Sequence, residues 1–238
     1  MVAAGRRHLP RGWSDLGLQV GIWFGFAVLY QLARGLADRN PTKAFANGQA
    51  VFNFEVRFTH RLYELTFQNF VDQRHLLETA VSWTYWNSEF TVVGLAVLWV
   101  YLRRHDAFTR FRNTILLANL IGLLGYVFMP TAPPRLLGVG FVDQHRDGLV
   151  RLAANPYAAM PSLHAADALI VGIMLFTLCR TRWAKAVWAV WPAWVWFAVM
   201  ATGNHFWLDC LAGICVALLA MTIVYNERIR ATFAARRA

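Results

Sequence analysis

Two short polar clusters hold the residue types that could do chemistry in this chain. The first is Met160-Pro161-Ser162-Leu163-His164, and the second is Gly203-Asn204-His205-Phe206-Trp207-Leu208-Asp209. About forty mostly apolar residues separate them, enough for two membrane crossings of about twenty each. A chain that crosses twice returns to the side it left, so the spacing predicts that His164, His205 and Asp209 meet at one face. His205 and Asp209 are four apart, on one helical face about one turn from each other. A carboxylate bonded to one ring nitrogen fixes the imidazole tautomer and leaves the other nitrogen free to attack. His164, in the first turn of its own span, adds an acid. Unpaired N–H groups at two helix N-termini, and the forked guanidinium of Arg135, suit phosphate oxygens. Two His and an Asp could also ligate zinc, and a lone His near a membrane helix end is usually an interfacial polar residue. Three co-facing groups, with an Arg in a Pro-rich loop, favour phosphoryl transfer over a metal site or an inert cluster.

The elements that must position these groups follow from composition. The chain is 58% hydrophobic and only 15% charged, with a mean hydropathy of +0.38. Soluble domains average about 25% charged residues, so a membrane protein is expected. Eleven Trp fit, because Trp gathers at membrane–water interfaces. After a basic arm with Arg6, Arg7 and Arg11, Leu16–Leu36 reads as a first span. A basic start before an apolar run also fits a signal peptide, but the run is long and no clear small-x-small site follows. Gly17, Gly21 and Gly25 form a weak helix-packing signal. Asp38–His75 is too polar to span. Asn53, Arg57, Arg61, Glu64 and Gln68 fall at helical spacing, with Phe54, Phe58, Leu62 and Leu65 on another face. That pattern reads as an amphipathic helix along the interface or capping the bundle, or equally as an ordinary extramembrane helix.

A second span covers about Leu76–Leu102 and contains Asn87, Ser88 and Glu89. An intramembrane carboxylate is a functional-site candidate by default, or else a hydrogen bond to a neighbouring helix. The third span, about Asn113–Met129, ends at Pro130-Thr131-Ala132-Pro133-Pro134-Arg135, where three Pro stop the helix. The fourth begins near Met160 and stops before Arg180. The fifth runs from Ala184 to about Thr202, with a kink expected at Pro192, and the sixth from about His205 to Tyr225. The expected fold is therefore all-α, a six-transmembrane-helix bundle with an additional amphipathic helix between the first two spans. It forms one domain over 1–238, with its motif-bearing core at about 113–226.

Six spans put both termini on one side. Fourteen of the 23 Lys and Arg lie in the arm, the tail and the short turns between spans two and three and spans four and five. The positive-inside rule assigns that side to the cytoplasm, and the two clusters and Arg135 to the outer face. The same rule accounts for the net charge of +10, so nucleic acid is not expected as a partner. The oligomeric state is left open. Cys179, Cys210 and Cys215 lie within or beside apolar spans, with neither a disulfide framework nor a zinc spacing.

Pro161-Ser162-Leu163-His164 resembles the Pro-Ser-Gly-His motif of the type 2 phosphatidic acid phosphatase superfamily, and His205-Phe206-Trp207-Leu208-Asp209 its His-x-x-x-Asp motif. Ala-Met-Pro-Ser-Leu-His, Gly-Asn-His-Phe-Trp-Leu-Asp and Pro133-Pro134-Arg135 are closer still to the inositol phosphorylceramide synthase-like branch. The resemblance implies a lipid phosphate substrate, no metal or other cofactor, and a phosphohistidine intermediate. By it, His205 is the nucleophile, Asp209 its partner, and His164 the acid that later activates the acceptor. Arg135, Ser162 and Asn204 would bind the phosphoryl oxygens. With water as the acceptor the chain would be a lipid phosphatase, and with an alcohol a phosphotransferase, as in the resembled branch. Two departures point away from the common phosphatases: Phe128 stands where they carry Lys, and Ala198-Val199 where they carry Ser-Arg. Arg146 and Arg151 are the candidates to replace those cations, and Asp167 either tunes His164 or faces a neighbouring helix.

Overall fold

A computed structural model of the chain describes residues 9–37, 40–141 and 157–226, without the side chains of 33–37. Arg146 and Arg151 lie outside the described residues, as do Arg6 and Arg7. The architecture is all-helical: α1 Gly12–Ala37, α2 Pro41–Thr59, α3 Tyr63–Asp72, α4 His75–Asn87, α5 Val93–Arg103, α6 His105–Phe128, α7 Leu163–Leu178, α8 Arg182–Ala201 and α9 Trp207–Tyr225.

Among the described residues, four segments are long and apolar enough to cross a membrane: Gly12–Leu32, His105–Phe128, Arg182–Ala201 and Trp207–Tyr225. The other two expected spans take different forms. Leu76–Leu102 is built from α4, a π-helical segment Ser88–Val92, and α5. The fourth, α7, has 16 residues, about 24 Å at 1.5 Å per residue. It is nonetheless the central helix, packed on α6, α8 and α9. In lipid, close packing between helices relies on small residues more than on apolar burial. Gly172 of α7 is such a point, where an added Cβ would lie 2.7 Å from Pro192 Cγ of α8. The main core joins Val100, Phe111, Ile115, Leu163, Val171 and Ala217 from α5, α6, α7 and α9. Among the described residues, nothing lies within 4 Å of a Cβ added at Gly17, Gly21 or Gly25, so none of them packs on the small-residue face of α1.

The polar 38–75 segment forms two helices rather than one. The first is capped by Asn40, whose Oδ1 accepts from the Lys43 N–H at 3.0 Å. It ends at His60, in the left-handed region at φ 56°. Of the alternatives, capping the bundle is the one observed. Lys43 Nζ donates to the Phe128 carbonyl at 2.9 Å and Asn47 Nδ2 to the Pro130 carbonyl at 2.7 Å. Those donors satisfy carbonyls left open at the end of α6. Burial divides both sets: Glu55, Glu64 and Gln68 are buried while Asn53, Arg57 and Arg61 are exposed, and Phe54 and Phe58 are 50% and 70% exposed.

Candidate active site

The Pro-rich segment after α6 and the segment before α7 are tied backbone to backbone. Thr131 N–H donates to Tyr157 O at 2.8 Å, and Ala159 N–H returns to Thr131 O at 3.2 Å. Pro133-Pro134-Arg135 is thereby laid beside the first motif. A short 3₁₀ turn, Pro134–Leu136, turns the chain, and Arg135 N–H donates to Gly203 O at 3.0 Å. Gly203 is required there twice over. Its φ is +65°, and an added Cβ would lie 2.8 Å from Phe141 Cδ1 and 3.2 Å from Arg135 Cβ.

The first motif is wedged between two helices. Gly122 and Gly125 of α6 leave room for Leu163 and Pro161, and Gly213 of α9 for the Ser162 backbone. Ser162 N–H donates to Asp209 O at 3.0 Å. The Ser162 hydroxyl caps α7, accepting from Ala165 N–H at 3.3 Å. Ser162 is fully buried and does not line the cavity described below. Its observed task is to hold the helix that carries His164.

His205 lies just ahead of α9, not within it, so the one-face helical reading of His205 and Asp209 is corrected. Asp209 occupies the third position of α9 and accepts the Phe206 N–H at 2.8 Å. Its Oδ2 stands 3.7 Å from His205 Nδ1, ion-pair range but too long for a hydrogen bond. The hydrogen bond goes elsewhere: Nδ1 lies 2.8 Å from the Ala159 carbonyl oxygen. A carbonyl only accepts, so in the neutral ring Nδ1 carries the proton and Nε2 the lone pair.

His164, in the first turn of α7 as expected, lies across from His205 with ring centroids 5.7 Å apart. Its Nδ1 is 3.1 Å from Ser88 Oγ and its Nε2 is 3.3 Å from Glu89 Oε2. Tyr85 lies over the ring at 4.8 Å. Asp167 faces a neighbouring helix: both its oxygens accept from Asn119 Nδ2, at 2.9 and 3.0 Å.

These groups line one cavity of about 600 Å³, which Arg135, His164, His205, Asn204, Glu89 and Asp167 share. Its remaining wall is largely aromatic, including Trp23, Phe26, Tyr30 and Trp86. Asn204 Nδ2 donates to Thr202 Oγ1 at 2.8 Å, and Asn204 Oδ1, buried, accepts from no group. A second, apolar hollow of about 250 Å³ runs between α1, α5 and α6 and shares Trp23, Glu89, Phe90 and Val93 with the first. Among the described residues, no three His, Cys, Asp or Glu side chains are grouped to hold a metal ion.

The N-terminus of α9 differs from expectation. Its N–H groups are occupied: Trp207 N–H donates to Glu64 Oε1 at 2.6 Å and Leu208 N–H to Glu55 Oε1 at 2.8 Å. Burial pushes the Glu55 carboxyl up to about 9, with the charge of Glu64 adding to it. Burial raises Glu64 as well, and Asp209 adds to both. The pair thus holds a proton at neutral pH. Sequence reasoning missed Glu55 as a site-supporting residue. The available signal was that Glu55 and Glu64 are the only acids between Asp38 and Asp72. Carboxylates beside a helix N-terminus are the expected dipole partners.

A family model described as the PAP2 superfamily matches residues 50–223. A curated relative from Bacteroides thetaiotaomicron, a phosphoinositol dihydroceramide synthase, is 30% identical over 141 residues. That match covers 50% of this chain and 46% of the relative, so the chain spans about half the relative's length. The crystal structure of Aquifex aeolicus LpxE superposes with a TM-score of 0.53 at 17% identity, over 67% of this chain and 92% of that one. At that identity the likeness speaks for the fold.

Proposed function

The chain belongs to the PAP2 superfamily, and on that premise we propose that it transfers a lipid-linked phosphoryl group through a phosphohistidine on His205, at the outer face of a six-span bundle. The single observation that carries this reading is the His205 ring. Its Nδ1–H is held by the Ala159 carbonyl, and the residue lines a cavity shared with His164 and Arg135. In the first half-reaction the Nε2 lone pair forms a bond to phosphorus. The phosphorus–oxygen bond to the lipid breaks, and its electron pair takes a proton from His164. In the second, His164 takes the proton of the acceptor hydroxyl as its oxygen attacks phosphorus, and the phosphorus–nitrogen bond breaks back onto His205. Arg135 holds the phosphoryl oxygens through both steps. Asp209, 3.7 Å away, offsets the positive charge that the ring gains while phosphorylated.

An alcohol acceptor is the version the molecule favours. Phe128, Ala198 and Val199 put no cation where the common phosphatases carry theirs, the cavity wall is largely aromatic, and the curated relative is by its name a synthase.

Purified protein incubated with a ³²P-labelled lipid phosphate should acquire label that is lost in acid and kept in alkali. His205→Ala should abolish it and lower turnover on the order of 10³-fold or more. Adding an alcohol such as inositol should divert label into the phosphomonoester of that alcohol. Free phosphate alone, with and without the alcohol, would sink the transferase version, and full labelling of His205→Ala would sink the nucleophile assignment.

A further inference from the structure

The π-helical segment Ser88–Val92 puts two consecutive residues on opposite nitrogens of one imidazole. Ser88 Oγ is 3.1 Å from His164 Nδ1, and Glu89 Oε2 is 3.3 Å from His164 Nε2. A π-turn shifts the register of its helix by one residue, and such turns gather at functional sites. Neither side chain is incidental in energy. Ser88 is 3% exposed, and the Glu89 and His164 side chains are 11% and 12% exposed. A carboxylate that deep in a membrane bundle needs a partner, and His164 Nε2 stands within ion-pair range of it. Glu89 also stands where the catalytic cavity meets the apolar hollow, since it lines both. An amphiphile lying with its chain in that hollow brings its polar end to Glu89 and His164. Other ionisable groups around His164 are His205, Tyr85, Asp167 and Arg135, which share the cavity. Asp167 is engaged by Asn119, so Glu89 is the carboxylate against the working nitrogen.

We propose that Glu89 is a positioning residue that supplies the counter-charge for the imidazolium form of His164, making it the acid of the first half-reaction. The proposal rests on the phosphohistidine reading above. An alkyl alcohol cannot leave phosphorus as an alkoxide without a proton, so the first step needs a protonated His164 in a low-dielectric cavity. Glu89 neutralises that charge, while Ser88 fixes the ring plane. When the proton passes to the leaving oxygen, the carboxylate faces a neutral ring. When the acceptor hydroxyl gives its proton to Nε2, the pair is restored. No proton is gained or lost over the cycle.

A leaving group that needs no proton separates this role from a structural one. Glu89→Gln keeps shape and removes charge. The rate of phosphoenzyme formation should be measured by rapid quench for wild type and variant on an alkyl lipid phosphate and on an alkylated p-nitrophenyl phosphate. The alkyl substrate should lose on the order of 10²-fold or more, and the nitrophenyl substrate at least about tenfold less than that. Glu89→Asp, which keeps the charge, should recover part of the alkyl rate. Equal losses on both substrates, or no loss on either, would overturn the proposal. If wild-type protein takes no acid-labile label from either substrate, the phosphohistidine reading itself fails and the proposal falls with it.

Discussion

At the scale of single residues, the proposed nucleophile, His205, is prepared by a backbone atom. Ala159 O accepts from the His205 Nδ1–H at 2.8 Å, leaving Asp209 at 3.7 Å as a charge partner. This division of labour makes a quantitative prediction. Where a buried Asp alone fixes the tautomer, Asp→Asn costs about 10⁴ in kcat. Here the carbonyl keeps the tautomer after Asp209→Asn, and what is lost is the charge that offsets the phosphorylated ring. We expect kcat to fall about 10²-fold, with acid-labile label still forming on His205. A fall of about 10⁴, or no label, would return the tautomer role to Asp209. The contrast also explains what could be read beforehand. His164, His205, Asp209 and Arg135 carry residue types that name their chemistry, and the structure does bring all four to one place. The Ala159 carbonyl has no side-chain signature. Asn204 was legible as a polar residue in the motif. Its amide nitrogen is taken up by Thr202, two residues earlier, which the motif alone does not show.

At the scale of elements, α2 and α3 hold the end of the bundle through buried acids. Periodicity showed two unlike faces in 38–75, but it cannot say which face is inward when the outside is a membrane surface. Phe54 and Phe58 stack on each other at 6.0 Å on the outside, while Glu55 and Glu64 face α9. The sign of the pH effect follows from the shifts. An unfolded chain releases the Glu55 proton near 4.5, whereas the folded protein keeps it to about 9. Folded protein therefore holds more protons across that window. The stabilisation is full below pH 4.5 and is lost as pH rises toward about 9. Each proton so retained is worth up to about 1.4 kcal/mol per pH unit. Melting of the detergent-solubilised protein should drop between pH 6 and pH 9. Glu55→Gln, whose amide oxygen can still accept from Leu208, should flatten that drop. An unchanged slope in the variant would remove Glu55 from this role.

At the scale of the whole molecule, the question is which way the bundle sits. Arg104 Nη2 donates to Leu178 O at 2.9 Å, so the basic turns at 103–112 and 180–185 share one end. The Pro-rich loop, both motifs and α2 share the other. This grouping was legible because charge and hydropathy act over whole segments. The composite form of α4 and α5 was not, because a π-turn has no compositional mark. Large apolar side chains such as Leu18, Phe24 and Leu32 of α1 are 60%, 72% and 65% exposed, as a lipid-facing helix requires. Positive charge at one end then predicts orientation. In a background with its three cysteines replaced, a membrane-impermeant thiol reagent should label Gln49→Cys on α2 in intact cells. Arg180→Cys should stay unlabelled until the cells are opened. Labelling in the reverse order would turn the bundle over and place His164 and His205 on the cytoplasmic leaflet. Their proposed lipid substrate would then have to be drawn from that side.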